Sequence, residues 1–492
     1  MNFNSLEYIL FLAANILLYY LLPPRFRNYL LLLSSYFFYM CWKPKYALLM
    51  LLSTVITYVC GLLVARALWG KRRLWLALSF AANLGILFFF KYYNFASSLF
   101  TRVSEALGLG ISAPLLDVLL PVGISFYTFQ ALGYTVDVYR GDVKPEKNFV
   151  DYALFVSFFP QLVAGPIERS GNILHQLKET HTFSLDSLRE GMLPVLWGLF
   201  KKVVLADNLA VLVNTVYNSP GEHTGPQLIL ATTAFALQIF CDFSAYSDIA
   251  IGSARMLGFE LMENFHCPYL ATSIQDFWRR WHISLSSWFK DYLYFPLGGS
   301  RCSKPRRILN LLIVFTVSGI WHGAALTFVA WGLLNGLYQA VSILLRPVRD
   351  RIFKLLHVPD KAWWLTAIRV LVTFSLTCLA WVLFRANSLS EAGAVYSAIF
   401  GWLAHLPQLG LSGLLSAGGG LGVSLKTLCM LGVFSAAALI ADWLITERGL
   451  FRRLNRGVAL RYCVYFCLIA AILIFGSYGT GYDPQDFAYF QF

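Results

Sequence analysis

Charge is what this chain has least of. Only 13% of its 492 residues are Asp, Glu, Lys or Arg, against about 25% in an ordinary soluble domain. Signatures of familiar hydrolytic and nucleotide chemistry are missing too. No G-x-S-x-G elbow, H-E-x-x-H helix or Walker loop occurs, so a serine nucleophile, a zinc protease site and a P-loop are excluded on motif grounds. The glycines of "SAGGGLG" (416–422) follow no strand and precede no Gly-Lys-Ser/Thr, so they make no phosphate loop. The cysteines, such as Cys41, Cys60, Cys241, Cys378, Cys429, Cys463 and Cys467, are scattered through apolar runs without metal spacing. They read as small buried hydrophobes, and no metal site is expected. There is no internal repeat and no separate soluble region, so 1–492 reads as one integral-membrane domain.

What is present is hydrophobic length. Runs such as "YILFLAANILLYYLL", "YALLMLLSTVITYVCGLLVA" and "VLVTFSLTCLAWVLF" approach the roughly 20 residues that span a bilayer core. They do not alternate, which excludes a barrel. The chain is therefore expected to be an all-α polytopic membrane protein. The first run lacks a preceding basic residue and a small-residue cleavage site, so it reads as a retained span.

The net charge of +13 is not a nucleic-acid signal, because the basic residues fall between spans. They cluster at 25–27, 71–73, 301–307, 346–354 and 448–456. Residues 1–24, 218–226, 386–425 and 478–492 hold no Lys or Arg. The positive-inside rule puts the first set in the cytoplasm and the second outside. Both termini then lie outside, and the span number is odd. Twelve segments can be drawn, near 7–22, 29–42, 46–66, 74–90, 113–136, 190–216, 227–256, 308–326, 328–345, 363–385, 427–446 and 458–477. About eleven are expected to cross, with 29–42 and 308–326 as candidate re-entrant segments. The run 150–166, broken by Pro160 and Pro166, is not expected to span simply. Segment 386–425 reads as an external loop with a short apolar helix.

Ionisable groups inside a membrane are costly and mark function or pairing. His322, in "SGIWHGAALTF", is the only His, Asp, Glu, Lys or Arg between Arg307 and Arg346. With an ordinary pKa of about 6.5, burial would leave it largely neutral, the state a general base needs. Gly319 and Gly323 beside it form a G-x-x-x-G pair that admits a close backbone. A hydrogen-bonded structural histidine fits this spacing equally well. His282 lies in the aromatic, charged stretch 257–307, which reads as an interfacial, cytoplasm-facing helix. Trp278, Trp281 and Trp288 then sit at headgroup level, and Arg279, Arg280 and Lys290 meet phosphates. On such a helix Trp278, His282 and Ser286 would share a face. Asp242 and Asp248, six residues apart, point to different faces, so they form no shared-proton pair. Lys201, Lys202 and Asp207 are expected near an interface, with the lysines snorkelling. Without metal or covalent nucleophile, the simplest chemistry is acyl transfer, one imidazole taking a hydroxyl proton as it attacks a thioester.

Longer stretches carry a resemblance. "PVGISFYTFQALGYTVDVYRG" (121–141), "FFPQLVAGPIER" (158–169), "WGLFKKVVLADNLA" (197–210), "CDFSAYSDIAIGSARMLGF" (241–259), "FWRRWHISLSSWFKDYLYFPLGG" (277–299), "GIWHGAALTFVAWGLLNG" (319–336), "LFRA" (383–386) and "GTGYDPQDFAYFQF" (479–492) resemble the membrane-bound O-acyltransferase (MBOAT) family. They are most similar to its bacterial branch containing the alginate O-acetylation membrane protein. The resemblance implies a helical core with a central tunnel and His322, the family's catalytic histidine, at its middle. His282 matches the family's second histidine and would hold the donor or guide the acyl group. It also implies a bacterial inner-membrane location and a cytoplasmic thioester donor such as acetyl-CoA, with no bound cofactor. Extracytoplasmic acetyltransferase partners and a polysaccharide acceptor complete the picture. Arg279, Arg280, Trp281 and Lys290 are then candidate donor contacts, and Trp321 and Asn335 candidate path-lining residues. D-alanyl transfer toward teichoic acid, a transporter without bond making, and a scaffold for a partner enzyme are the alternatives.

Overall fold

The computed structural model describes residues 1–117, 119–163, 165–355, 357, 359, 362–409 and 420–478. It is helical throughout, with a single isolated bridge, Phe265 to Trp281, in place of any strand among the described residues. Among the described residues, seven helices are long and apolar enough to cross a membrane: Pro44–Arg66, Gly70–Ala106, Gly225–Met256, Leu326–Leu355, Trp363–Arg385, Leu425–Arg448 and Val458–Phe475. Each of the twelve expected segments falls on a helix, some shorter or more polar than these. The segment 113–136 becomes helical only from Ile124. Pro114 and Pro121 lack the N–H a helix interior needs. Gly123 then starts the helix at φ +72, where an added Cβ would sit 2.7 Å from the Leu162 carbonyl. Only glycine fits there.

The chain divides into two compact units, neither contiguous in sequence. The first, Met1–Trp197 with Tyr246–Glu263, packs helices whose starts are written locally. Ser5 caps Leu6–Leu21 by accepting from the Tyr8 amide, and prolines open Pro24–Met40 and Pro44–Arg66. Thr54 and Thr57 donate to carbonyls one turn back, so their hydroxyls stay satisfied inside apolar helices. The run 150–166 is broken as expected, into Phe149–Ser157 and Phe159–Leu162.

The second unit, Gly198–Ala245 with Asn264–Phe492, holds both candidate histidines. Lys304–His322 and Leu326–Leu355 pack as a hairpin at very short range. A Cβ on Gly319 would meet the Phe328 carbonyl at 2.2 Å, and one on Gly332 the Phe315 carbonyl at 2.3 Å. Gly319 is thus a backbone contact, whereas Gly323 of the same G-x-x-x-G pair faces the Phe328 ring. Leu389–Leu409 is a 21-residue helix, longer than the short one expected there. Most of "SAGGGLG" and all of "GTGYDPQDFAYFQF" lie outside the described residues.

Candidate active site

The expected single interfacial helix across 257–307 is not what forms. The chain makes two helices of seven residues each, Ile274–Arg280 and Ile283–Phe289, with Trp281 and His282 at the break. His282 sits at φ +44, left-handed backbone that a non-glycine residue occupies at a cost of roughly 1–2 kcal/mol. Surrounding bonds repay that cost. The His266 amide donates to the Arg280 carbonyl at 2.9 Å, and the Ile283 amide to the Asn264 carbonyl at 2.9 Å. Trp278, His282 and Ser286 therefore do not share a helical face. Trp281 and Trp288 are buried rather than at headgroup level. Trp281 packs against Phe265, Phe277 and Trp381.

His282 itself is fully buried, at 0% exposure. Its Nδ1 lies 3.0 Å from Asn264 Oδ1, which also receives the Ser284 amide at 3.3 Å and hydroxyl at 2.9 Å. A backbone amide can only donate, so that atom is the amide oxygen, and Nδ1 must carry the imidazole proton. Nε2 is then the basic nitrogen of the neutral ring. Asn264 went unnoticed in the sequence; nothing local marks it as the partner of a residue 18 positions later.

His322 is the last residue of its helix, and Gly323 breaks away in extended backbone. The ring is 5% exposed. Trp331, Trp321 and Phe384 surround it edge-on, with centroids 4.9, 5.1 and 5.4 Å away. Trp321 in turn lies 6.1 Å from the His282 ring. One indole thus touches both imidazoles. Asn335 is buried on the facing helix and donates to the Trp331 carbonyl at 2.9 Å.

A cavity of about 240 Å³ opens in the same unit. Arg279, Lys290 and Arg307 stand among its walls, with Trp278, Leu311 and Phe315, and Ser318, four residues before His322, and Gln339, four residues after Asn335, are also in the lining. The lining contains no carboxylate, and none of the three cations forms an ion pair among the described residues. Arg280 is not part of it. Asp276 holds that guanidinium at 3.0 Å, one turn away on its own helix.

Lys201, Lys202 and Asp207 do not snorkel. All three are 2% exposed or less. Their chain forms a π-turn, Lys201–Ala206, between two α-helices. Lys202 Nζ lies 2.8 Å from Asp207 and 2.9 Å from Asp242. Lys201 donates to Ser244 at 2.8 Å and stands 3.6 Å from Asp442. Asp242 is followed by Phe243, whose ring meets His282 edge-on at 4.6 Å. The salt cluster thereby fixes the wall behind the second histidine.

The second unit is thus a bundle of apolar helices that encloses two imidazoles and holds a cation-lined cavity, the build of an integral-membrane protein. Residues 144–385 match the model of the MBOAT, membrane-bound O-acyltransferase family. The chain is 40% identical to the probable alginate O-acetylase AlgI of Pseudomonas syringae pv. tomato over 84% of this chain and 79% of that one. It is 36% identical to the peptidoglycan O-acetyltransferase of Helicobacter pylori, over 80% and 77% of the two chains. Against the teichoic acid D-alanyltransferase of Bacillus subtilis, identity is 26% over 54% and 69%. The chain belongs to the membrane-bound O-acyltransferase family and is a multi-pass O-acyltransferase.

Proposed function

We propose that this enzyme moves an acetyl group from a cytoplasmic thioester such as acetyl-CoA toward the hydroxyls of an extracytoplasmic polysaccharide, with His322 as general base. The observation that carries this reading is one helix. Lys304–His322 supplies Arg307, Leu311, Val314, Phe315 and Ser318 to the cavity and ends, one turn later, in His322. A cation-lined cavity without carboxylates suits the phosphates of a thioester donor. The caged imidazole suits the reacting end, where excluded water protects the thioester.

In the proposed step His322 takes the proton of the attacking hydroxyl. The oxygen adds to the thioester carbonyl, the carbon–sulfur bond breaks, and the departing thiolate takes the proton from the imidazolium. His282, its tautomer fixed by Asn264, borders the same indole and helps place the acyl group. Arg279 and Lys290 contact the donor, and Trp321 and Asn335 border its path. The acceptor class rests on relatives named for acetylating alginate and peptidoglycan. Extracytoplasmic acetyltransferase partners would complete delivery. The distribution of Lys and Arg supports both termini outside, and the bacterial relatives support an inner-membrane location.

Purified wild-type protein given labelled acetyl-CoA and acceptor should release CoA. His322→Ala and His322→Gln should lower turnover about 10²- to 10⁴-fold, the worth of a positioned general base. Unchanged release in both variants would remove His322 from the reaction.

A further inference from the structure

The helix Gly70–Ala106 in the first unit is longer than a crossing needs. Its 37 residues, at 1.5 Å each, reach about 55 Å, against a bilayer core of about 30 Å. A π-turn at Phe88–Tyr92 interrupts it, and Tyr93–Ala106 continues beyond. Beside that turn Trp42 stacks on Tyr46, and Tyr46 meets Phe90 edge-on at 6.0 Å. Exposed Trp and Tyr rings of this kind mark the level of a membrane interface. Tyr46 also donates to the Leu119 carbonyl at 2.6 Å, and Tyr39 to the Val122 carbonyl at 2.9 Å. The basic residues 71–73 are at the other end of the unit, where Arg72 donates to the Tyr139 carbonyl at 2.9 Å.

Tyr93–Ala106 and the segment after it are built inside out. Asn94, Ser97, Thr101 and Ser104 recur at spacings of three and four, so they form one polar face. Segment 107–117 folds back along that face, and the polar side chains hold its backbone. Asn94 donates to the Leu116 carbonyl at 2.8 Å and accepts from the Leu116 amide at 2.9 Å. The Ile111 amide donates to the Ser104 hydroxyl at 2.8 Å, and the Ala113 amide to the Thr101 hydroxyl at 3.1 Å. Polar groups that would be costly to take out of water are thereby answered inside the hairpin. The outward side is apolar: Leu99, Phe100 and Val103 on the helix, and Leu109, Ile111 and Leu115 on the returning segment, are all exposed. A helix packed on a protein core in water shows the opposite arrangement, apolar inward and polar outward. Arg102 and Glu105 lie on the helix between its two faces, where charged groups can reach headgroups.

We propose that residues 93–117 are an interfacial lipid-binding hairpin. It rests on its apolar face in the headgroup–acyl boundary of the leaflet away from the basic residues 71–73. Lipid is the occupant this build favours, because the irregular backbone has its hydrogen bonds at home and the exposed face offers hydrocarbon rather than charge.

The test places a nitroxide on full-length protein in nanodiscs of phosphatidylcholine and phosphatidylglycerol. Attachment through p-acetylphenylalanine leaves the native cysteines untouched. Val103, Leu109, Leu115 and Glu105 are labelled one at a time, and all four are exposed, so the label displaces no packing. At Val103, Leu109 and Leu115 the label should collide more often with oxygen, which concentrates in lipid, than with a water-soluble nickel chelate. At Glu105 nickel access relative to oxygen should be severalfold higher. Equal nickel access at all four positions means that the face stands in water, and overturns the proposal. Exclusion of both probes at Val103 and Leu109 means that protein covers the face, and overturns it too.

Discussion

Two groups of cations in the second unit look alike in sequence and have opposite fates. Lys201 and Lys202 are buried and answered by Asp207, Asp242, Asp442 and Ser244. Arg279, Lys290 and Arg307 border a cavity whose lining holds no acid. The first group has its counter-charges within the fold, so removing a member leaves a buried ion exposed to the low dielectric. In the second, no acid of the lining supplies the counter-charge, so on the proposed donor-binding reading removal should cost the fold little and binding much. A buried cation is thus a statement about stability, and an unanswered one at a cavity a statement about ligand.

The largest break in that contrast comes from Lys202→Met. It leaves Asp207 and Asp242 buried without their shared ammonium, and breaking a buried pair costs about 3–5 kcal/mol. Detergent-purified variant should show a sharply lowered Tm or fail to accumulate. Adding Asp242→Asn should recover part of the loss, because one stranded charge is neutralised. A Tm matching wild type would show that the cluster contributes nothing net.

Arg307→Ala and Lys290→Ala test the other side. Each removes one charge-assisted contact, worth about 1.5–3 kcal/mol, so the donor KM should rise about tenfold or more at tenfold per 1.4 kcal/mol. Tm should stay near wild type. Raising salt should mimic the variants, since the Debye length falls from about 10 Å at 0.1 M to 3 Å at 1 M. If the wild-type KM does not respond to salt, these cations do not hold phosphates.

The legible and illegible parts divide along the same physical line. Helical class and segment positions were written in hydrophobic length, a local property. His322 stood out because a lone imidazole in an apolar run is expensive; of the glycines beside it, Gly319 meets the Phe328 carbonyl as a close backbone approach requires, while Gly323 meets the Phe328 ring. Fates of charges were not local. Nothing in "WGLFKKVVLADNLA" says that Asp242 and Asp442 will arrive from distant helices. The break at Trp281 and His282 was hidden because both flanks read as helix; it is enforced by pairing with 264–266, a long-range contact. The stripe from Arg307 through Ser318 to His322 was available as a three-and-four spacing, and only its histidine was noticed.

Arg280 gives the smallest and sharpest test, because it neighbours Arg279 and was expected to share its task. Its guanidinium is taken by Asp276 in an i, i+4 pair that is about a quarter exposed on both sides, and such pairs contribute roughly 0.3–0.5 kcal/mol. Arg280→Ala should therefore lower Tm by no more than a degree or two, at about 2–4 °C per kcal/mol for larger domains. The donor KM should stay within twofold, while Arg279→Ala in parallel raises it severalfold. A KM change at Arg280 as large as at Arg279 would mean that Asp276 releases its partner to the ligand, and that an ion pair at a cavity's edge can act as a reserve of charge rather than a sink for it.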